Sequence, residues 1–113
     1  MSVSLIGLFG TGDRMESLIK LTGPSSYTQV TVGTPPAGPT GGQIVPASAF
    51  GLKYINECHG SLDESGKYFV IPCVGPGAAT QVTLIWVIAH TGAEETGPTN
   101  LSTFTAKLRA VGR

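Results

Sequence analysis

Charge is what this sequence has least of. Only 12% of its residues are Asp, Glu, Lys or Arg, about half the ~25% of ordinary soluble domains. Seven basic and seven acidic side chains cancel, so no net field draws in nucleic acid, anionic lipid or acidic ligands. Long apolar runs are missing as well. The longest, Leu84–Ala89, is far short of the ~20 residues that cross a membrane as a helix. The start, MSVSLIGLFGTGDR, has no basic stretch ahead of its short apolar part, which is not the pattern of a secretion signal. A protein made and kept in a cytosol is expected, on which the sequon Asn100-Leu101-Ser102 goes unused. Aromatics make up 7% and are not interleaved with basic residues, which speaks against a groove for single-stranded nucleic acid. No window sustains a long 3.6-residue apolar period, so long amphipathic helices are not expected.

Chemistry-bearing patterns are equally sparse. Cys58, His59, Cys73 and His90 are enough soft ligands for one zinc, but neither Cys-x-x-Cys nor His-x-x-x-His spacing occurs. A hairpin turning near Leu62-Asp63 sets Cys58 opposite Lys67 and leaves Cys73 ~20 Å further along, well beyond the ~7 Å reach of a disulfide between Cα atoms. Free thiols acting as small hydrophobes are expected. Gly7, Gly10 and Gly12 are followed by no Lys-Ser/Thr and lie in no βαβ unit, so they read as turn glycines and not as a phosphate loop. No Gly-x-Ser-x-Gly elbow accompanies the serines. Asp63-Glu64 and Glu94-Glu95 read as solvated loop tips, without acid–base geometry or an EF-hand pattern for calcium. His90 closes the most hydrophobic stretch, QVTLIWVIAHTG, just before a Thr-Gly turn, and His59 precedes Gly60. Both read as strand ends reaching water and not as catalytic groups. The expectation is a protein that is not an enzyme, with no catalytic residue, metal or cofactor.

Turn residues and short alternating segments are abundant instead. Sixteen glycines and eight prolines punctuate the chain. Ser102–Val111 alternates, with Phe104, Ala106, Leu108 and Ala110 on one face and Thr103, Thr105, Lys107 and Arg109 on the other. Gln81–Ala89 is apolar on both faces from residue 84 on, as a central strand covered on both sides would be. Lys67–Val74 is strand-prone, with Pro72 marking an edge or a bulge. GLKYINECHG and YTQVTV read as further strands. Arg14–Leu21 fits either period, and its flanking glycines favour the strand with Met15, Ser17, Ile19 and Leu21 on one face. PASAF, Pro46–Phe50, suits one helical turn. The Pro/Gly-rich segment 33–43 cannot lie inside a sheet. This yields an all-β fold: a single domain, 1–113, built as a β-sandwich of about seven or eight short antiparallel strands with long Gly/Pro-rich loops, plus an N-terminal arm at 1–12.

Several pieces in order, GDRMESLIKLTG, SSYT, IVPASAFGLKYI, SGKYFV, VTLIWVIAHTGAEE and TNLSTFTAKLRAVG, give residues 10 to 112 a pattern that resembles small virion proteins of tailed bacteriophages, of the head decoration or cement type. The pattern is one of turns and alternating strands, with no motif that demands a chemistry, and the insert VTVGTPPAGPT is longer than the pattern leads one to expect. The resemblance implies a β-sandwich that binds the outside of a phage head, bridges neighbouring subunits of the major capsid protein and stabilises the shell, in virions assembled in the host bacterial cytoplasm. It implies copies of itself as further partners, a homo-oligomer with a trimer among the options, and neither nucleic acid nor membrane. Low charge suits a protein packed in an assembly. The interface residues expected on this reading are Leu5, Ile6, Leu8 and Phe9 at the N-terminus, and Ile85 and Val87 on the second face of the apolar strand. The rival readings are a tail, fibre or head–tail connector component, including a receptor- or carbohydrate-binding module.

Overall fold

The computed structural model describes residues 3–11, 14–30, 41–74 and 79–113, with only the backbone given for Phe9 and Thr11. It is an all-β sandwich of two antiparallel sheets. The larger sheet has the order β1-β2-β7-β4 and the smaller β3-β6-β5. The strands are β1 (Val3–Thr11), β2 (Arg14–Thr22), β3 (Gln43–Pro46), β4 (Ile55–His59), β5 (Tyr68–Val74), β6 (Gln81–Ile88) and β7 (Thr105–Gly112). One 3-10 turn, Ala47–Phe50, follows β3 and is closed by Gly51 in the left-handed region, where a residue without a Cβ is unstrained.

Period-2 alternation places the core. Ser17, Ile19 and Leu21 of β2 and Ala106, Leu108 and Ala110 of β7 point inward and are buried. They meet Val82, Leu84 and Trp86 of β6, Val70 of β5 and Val45 of β3. The strand reading of Arg14–Leu21, the edge position of Pro72 and the helical turn at PASAF all agree with this structure. The segment 33–40 of the Pro/Gly-rich loop lies outside the described residues, as do residues 1, 2 and 12 of the expected arm.

Polar groups inside are paired, and they tie the sheets together. The Trp86 indole N–H donates to Gln43 Oε1 at 2.8 Å, and Gln43 Nε2 donates to the Thr22 carbonyl at 3.0 Å. The small sheet is thereby linked to β2 of the large one. Tyr27 donates its hydroxyl hydrogen to Glu94 at 2.7 Å and accepts the Trp86 amide at 3.1 Å. Among the described residues no buried side-chain nitrogen or oxygen lacks a partner, as a well-specified core requires.

Four expectations are corrected. Residues 3–11 are no free arm: they form β1, paired along its length with β2, because apolar Val3, Leu5 and Leu8 continue the inner face of that strand. YTQVTV does not form a strand over its described part. Only Tyr27 bridges, to Thr99, and the Val30 amide is taken by the Glu94 carboxylate. The hairpin of β4 with β5 is replaced by a corner. Cys58 lies opposite Ala110 in the large sheet and Cys73 opposite Thr83 in the small one, so the two free thiols are separated by the fold and not by a register within one hairpin. At that corner Gly60 passes so close to the Val70 carbonyl that any Cβ would collide with it. Of the two carboxylate pairs only Glu64 is a solvated tip. Glu94 and Glu95 receive the hydroxyls of Tyr27 and Tyr68, and buried Asp63 accepts the Ser65, Lys67 and Tyr68 amides and the Ser65 hydroxyl.

Candidate interaction surface

The two outward faces of the sandwich differ in kind. Every charged residue within a strand lies in β2, β4 or β7: Arg14, Glu16, Lys20, Glu57, Lys107 and Arg109. Alternation and register turn all of them outward. There Arg109 pairs with Glu16 at 2.7 Å, and Lys20 reaches Glu64 at 2.9 Å. The strands of the small sheet, QIVP, YFVIPCV and QVTLIWVI, contain no charged residue at all.

The outer face of the small sheet is also apolar. Register sets Ile44 beside Thr83, Cys73 on the far side of Thr83, Ile71 beside Ile85 and Phe69 beside Val87. Leu62 bridges to Phe69 and extends the patch at one corner. Ile44 is 51% exposed, Leu62 49%, Ile71 42% and Phe69 40%, whereas Ile85 and Val87 on the central strand are half-buried between them. At the β6 end of the face Glu94 bridges beside Val87, its carboxylate taken up by Tyr27 and the Val30 amide.

The expected interface residues therefore fall in two places. Ile85 and Val87 form the centre of the small sheet's outer face. Leu5, Ile6 and Leu8 lie on β1, the edge of the large sheet, and all three are exposed; the side chain of Phe9 lies outside the described residues. Sequence reasoning passed over Ile44, Leu62, Phe69 and Ile71. The signal for Phe69 and Ile71 was present, since YFVIPCV is apolar at odd and even positions alike, as QVTLIWVI is. Nothing local marks Ile44 or Leu62, which join the patch only through pairing.

The titratable groups are held structurally. Burial pushes the Cys58 thiol up to about 12, against a lowering hydrogen bond from the His59 backbone; at neutral pH it is a poor nucleophile. Burial also raises the Tyr27 hydroxyl, with its bond to Glu94 adding to the effect. Burial raises Asp63 too, but its hydrogen bonds from Ser65, Tyr68 and Lys67 outweigh that and hold the carboxyl below its ordinary value. His59 and His90 are both exposed, and His59 has Glu57 3.4 Å away. Among the described residues no group of three or more His, Cys, Asp or Glu is placed to hold a metal ion, and no helix is long and apolar enough to cross a membrane. No family model, curated protein or solved structure matches this chain.

Proposed function

We propose that this chain is a non-catalytic virion protein of the head decoration type, which binds the outside of a phage head through the outer face of its small sheet, bridging major capsid protein subunits. The observation that carries the reading is the charge-free, apolar outer face of β3-β6-β5, opposite a face laced with ion pairs. The centres of protein interfaces are depleted in charge and rich in apolar side chains, and contiguous exposed apolar patches on small domains mark contact sites.

The size of that face supports an assembly role over a tight one-to-one complex. Strands of four, seven and eight residues, ~4.8 Å apart, present roughly 300 Å², against ~800 Å² per partner in a stable pair. One such contact is weak. It holds when many copies engage a lattice, or when one molecule engages two sites at once, and it stabilises the shell by mass action without any reaction.

The test is co-sedimentation with heads that lack the protein, together with its copy number in intact particles. Expected are saturable binding, loss of that binding in Ile71→Lys, and a copy number comparable with that of the major capsid protein. Binding by Ile71→Lys equal to wild type would remove this face from the reading. A copy number matching tail parts would replace decoration with the fibre or connector alternative.

A further inference from the structure

The four sheet edges are not equally protected. β3 has four residues and ends in Pro46. β5 carries Pro72 and is met by Leu62 and by the Ser61 carbonyl, which accepts the Val70 amide. β4 has five residues with a register shift between Ile55 and Glu57, and Ala79 bridges to it. Short length, proline, bulges and covering segments are the usual means by which edges avoid pairing. β1 has nine residues with neither proline nor charge, its one irregularity is a register shift at mid-strand, and among the described residues no strand lies along its outer side.

β1 has a second property. Its register against β2 shifts between Leu5 and Gly7, so the inward face changes parity there. Val3 and Leu5 lie opposite inward-facing Leu21 and Ile19; past the shift, Leu8 and Gly10 lie opposite inward-facing Ser17 and Met15. Leu5 and Leu8 accordingly approach the same point: a Cβ on Gly51 would lie 3.9 Å from Leu5 Cδ2 and 3.7 Å from Leu8 Cδ2. In a regular strand, residues of odd separation face opposite ways. Here the inward set, 3, 5, 8 and 10, reads the same in both directions.

We infer that β1 is a self-pairing edge: two copies of this chain join β1 to β1 in antiparallel fashion about a two-fold axis. Leu5 of each lies opposite Leu8 of the other, and Val3 opposite Gly10. Directly opposed residues in an antiparallel pair share a face, and this register alone matches the inward set of one strand to that of the other with the irregular positions, 6 and 7, opposed. The two sheets become one continuous sheet of eight strands. A two-fold axis of this kind is perpendicular to the sheet, so both small sheets lie on the same side and their charge-free faces point the same way. The pair presents two identical faces to one surface. The dimer stands independently of capsid binding; its use in bridging rests on the function proposed above.

The experiment is sedimentation of the full chain in a dilution series from millimolar protein, with cysteine pairing to fix the register. A dimer is expected, and Leu8→Lys should leave the chain folded, with its far-UV circular dichroism spectrum unchanged, while weakening self-association by about tenfold or more. In a Cys58→Ser/Cys73→Ser background, Leu5→Cys and Leu8→Cys should each stay uncrosslinked alone and give a disulfide-linked dimer on oxidation only when mixed. Opposed residues lie within disulfide reach, whereas residue 5 stands three positions from its own copy, ~10 Å away. A monomer throughout, a trimer, or crosslinking of either variant alone equal to that of the mixture would overturn the inference. Failure to bind heads by a protein that still dimerises would bear on the proposed function and leave the dimer standing.

Discussion

The outward faces of the two sheets are built from the same kind of strand and came out opposite. On the larger sheet, Glu16, Lys20, Lys107 and Arg109 stand over an inner face of Ile19, Leu21, Leu108 and Ala110. On the smaller, Ile44, Ile71, Phe69, Ile85 and Val87 stand over Val45, Val70, Leu84 and Trp86. Solvent alone explains the first, because alternation of polar and apolar residues is all that a half-exposed sheet requires. It does not explain the second. A small domain gains little in water from aliphatic side chains held half open on an outer surface, and this is the face that the proposed function assigns to a partner.

The comparison breaks first at what both faces share, the core between them. Trp86 is fully buried, hydrogen-bonded to Gln43 and in edge contact with Tyr68. Trp86→Ala should cost ~3–5 kcal/mol, a large share of the ~5–15 kcal/mol that holds a domain this size together, and weaken both faces together. Chemical denaturation with fluorescence-independent detection, such as far-UV circular dichroism, measures it.

The corner that turns the chain from one sheet into the other comes next. Asp63→Ala strips the acceptor from the Ser65, Lys67 and Tyr68 amides and should cost ~2–3 kcal/mol. The folded carboxyl sits below its unfolded pKa of about 3.9. Its contribution is therefore fully present above that pH and is lost as pH falls through the lower folded value. Stability measured from pH 7 down to acid should fall less steeply in the variant, and parallel slopes would show that Asp63 carries no such linkage.

Substitutions on the two faces themselves sharpen the contrast. Ile71→Lys and Phe69→Lys should change stability by only about 0.5–1 kcal/mol, since exposed strand positions span little more than that, yet remove particle binding. Ile85→Lys should cost more stability than Ile71→Lys, because Ile85 is half-buried on the central strand. The smallest effect belongs to the charged face. Glu16→Ala breaks a partly exposed surface ion pair with Arg109 and should leave both the thermal midpoint and binding nearly unchanged, as surface pairs contribute little. Loss of particle binding in Glu16→Ala would reverse the assignment of the two faces.

Much of the fold was readable because β structure writes itself in period 2. Met15, Ser17, Ile19 and Leu21, and likewise Ala106, Leu108 and Ala110, declared their strands and their inward faces. Two-sided apolarity singled out Leu84–Ala89, and with it Ile85 and Val87. The misreadings arose where a hydrogen bond replaced a strand or where pairing was non-local. Tyr27 and Val30 gave their groups to Glu94, and Cys58 took β7 as its neighbour in place of β5. Ile44 and Leu62 carry no local mark of the patch they complete.

By itself, then, the sequence determined which segments extend, which of their faces are apolar, and that charge is confined to few strands, since each follows from local alternation. Only the tertiary structure decided that β4 leaves β5 for β7, that three of the four charge-free strands, β3, β5 and β6, gather into one sheet, and that a shift between Leu5 and Gly7 brings Leu5 and Leu8 to one side. The reason is physical. Alternation is a property of a few neighbouring residues, whereas strand partners are chosen by burying the most apolar surface over the whole chain, a choice no single segment encodes.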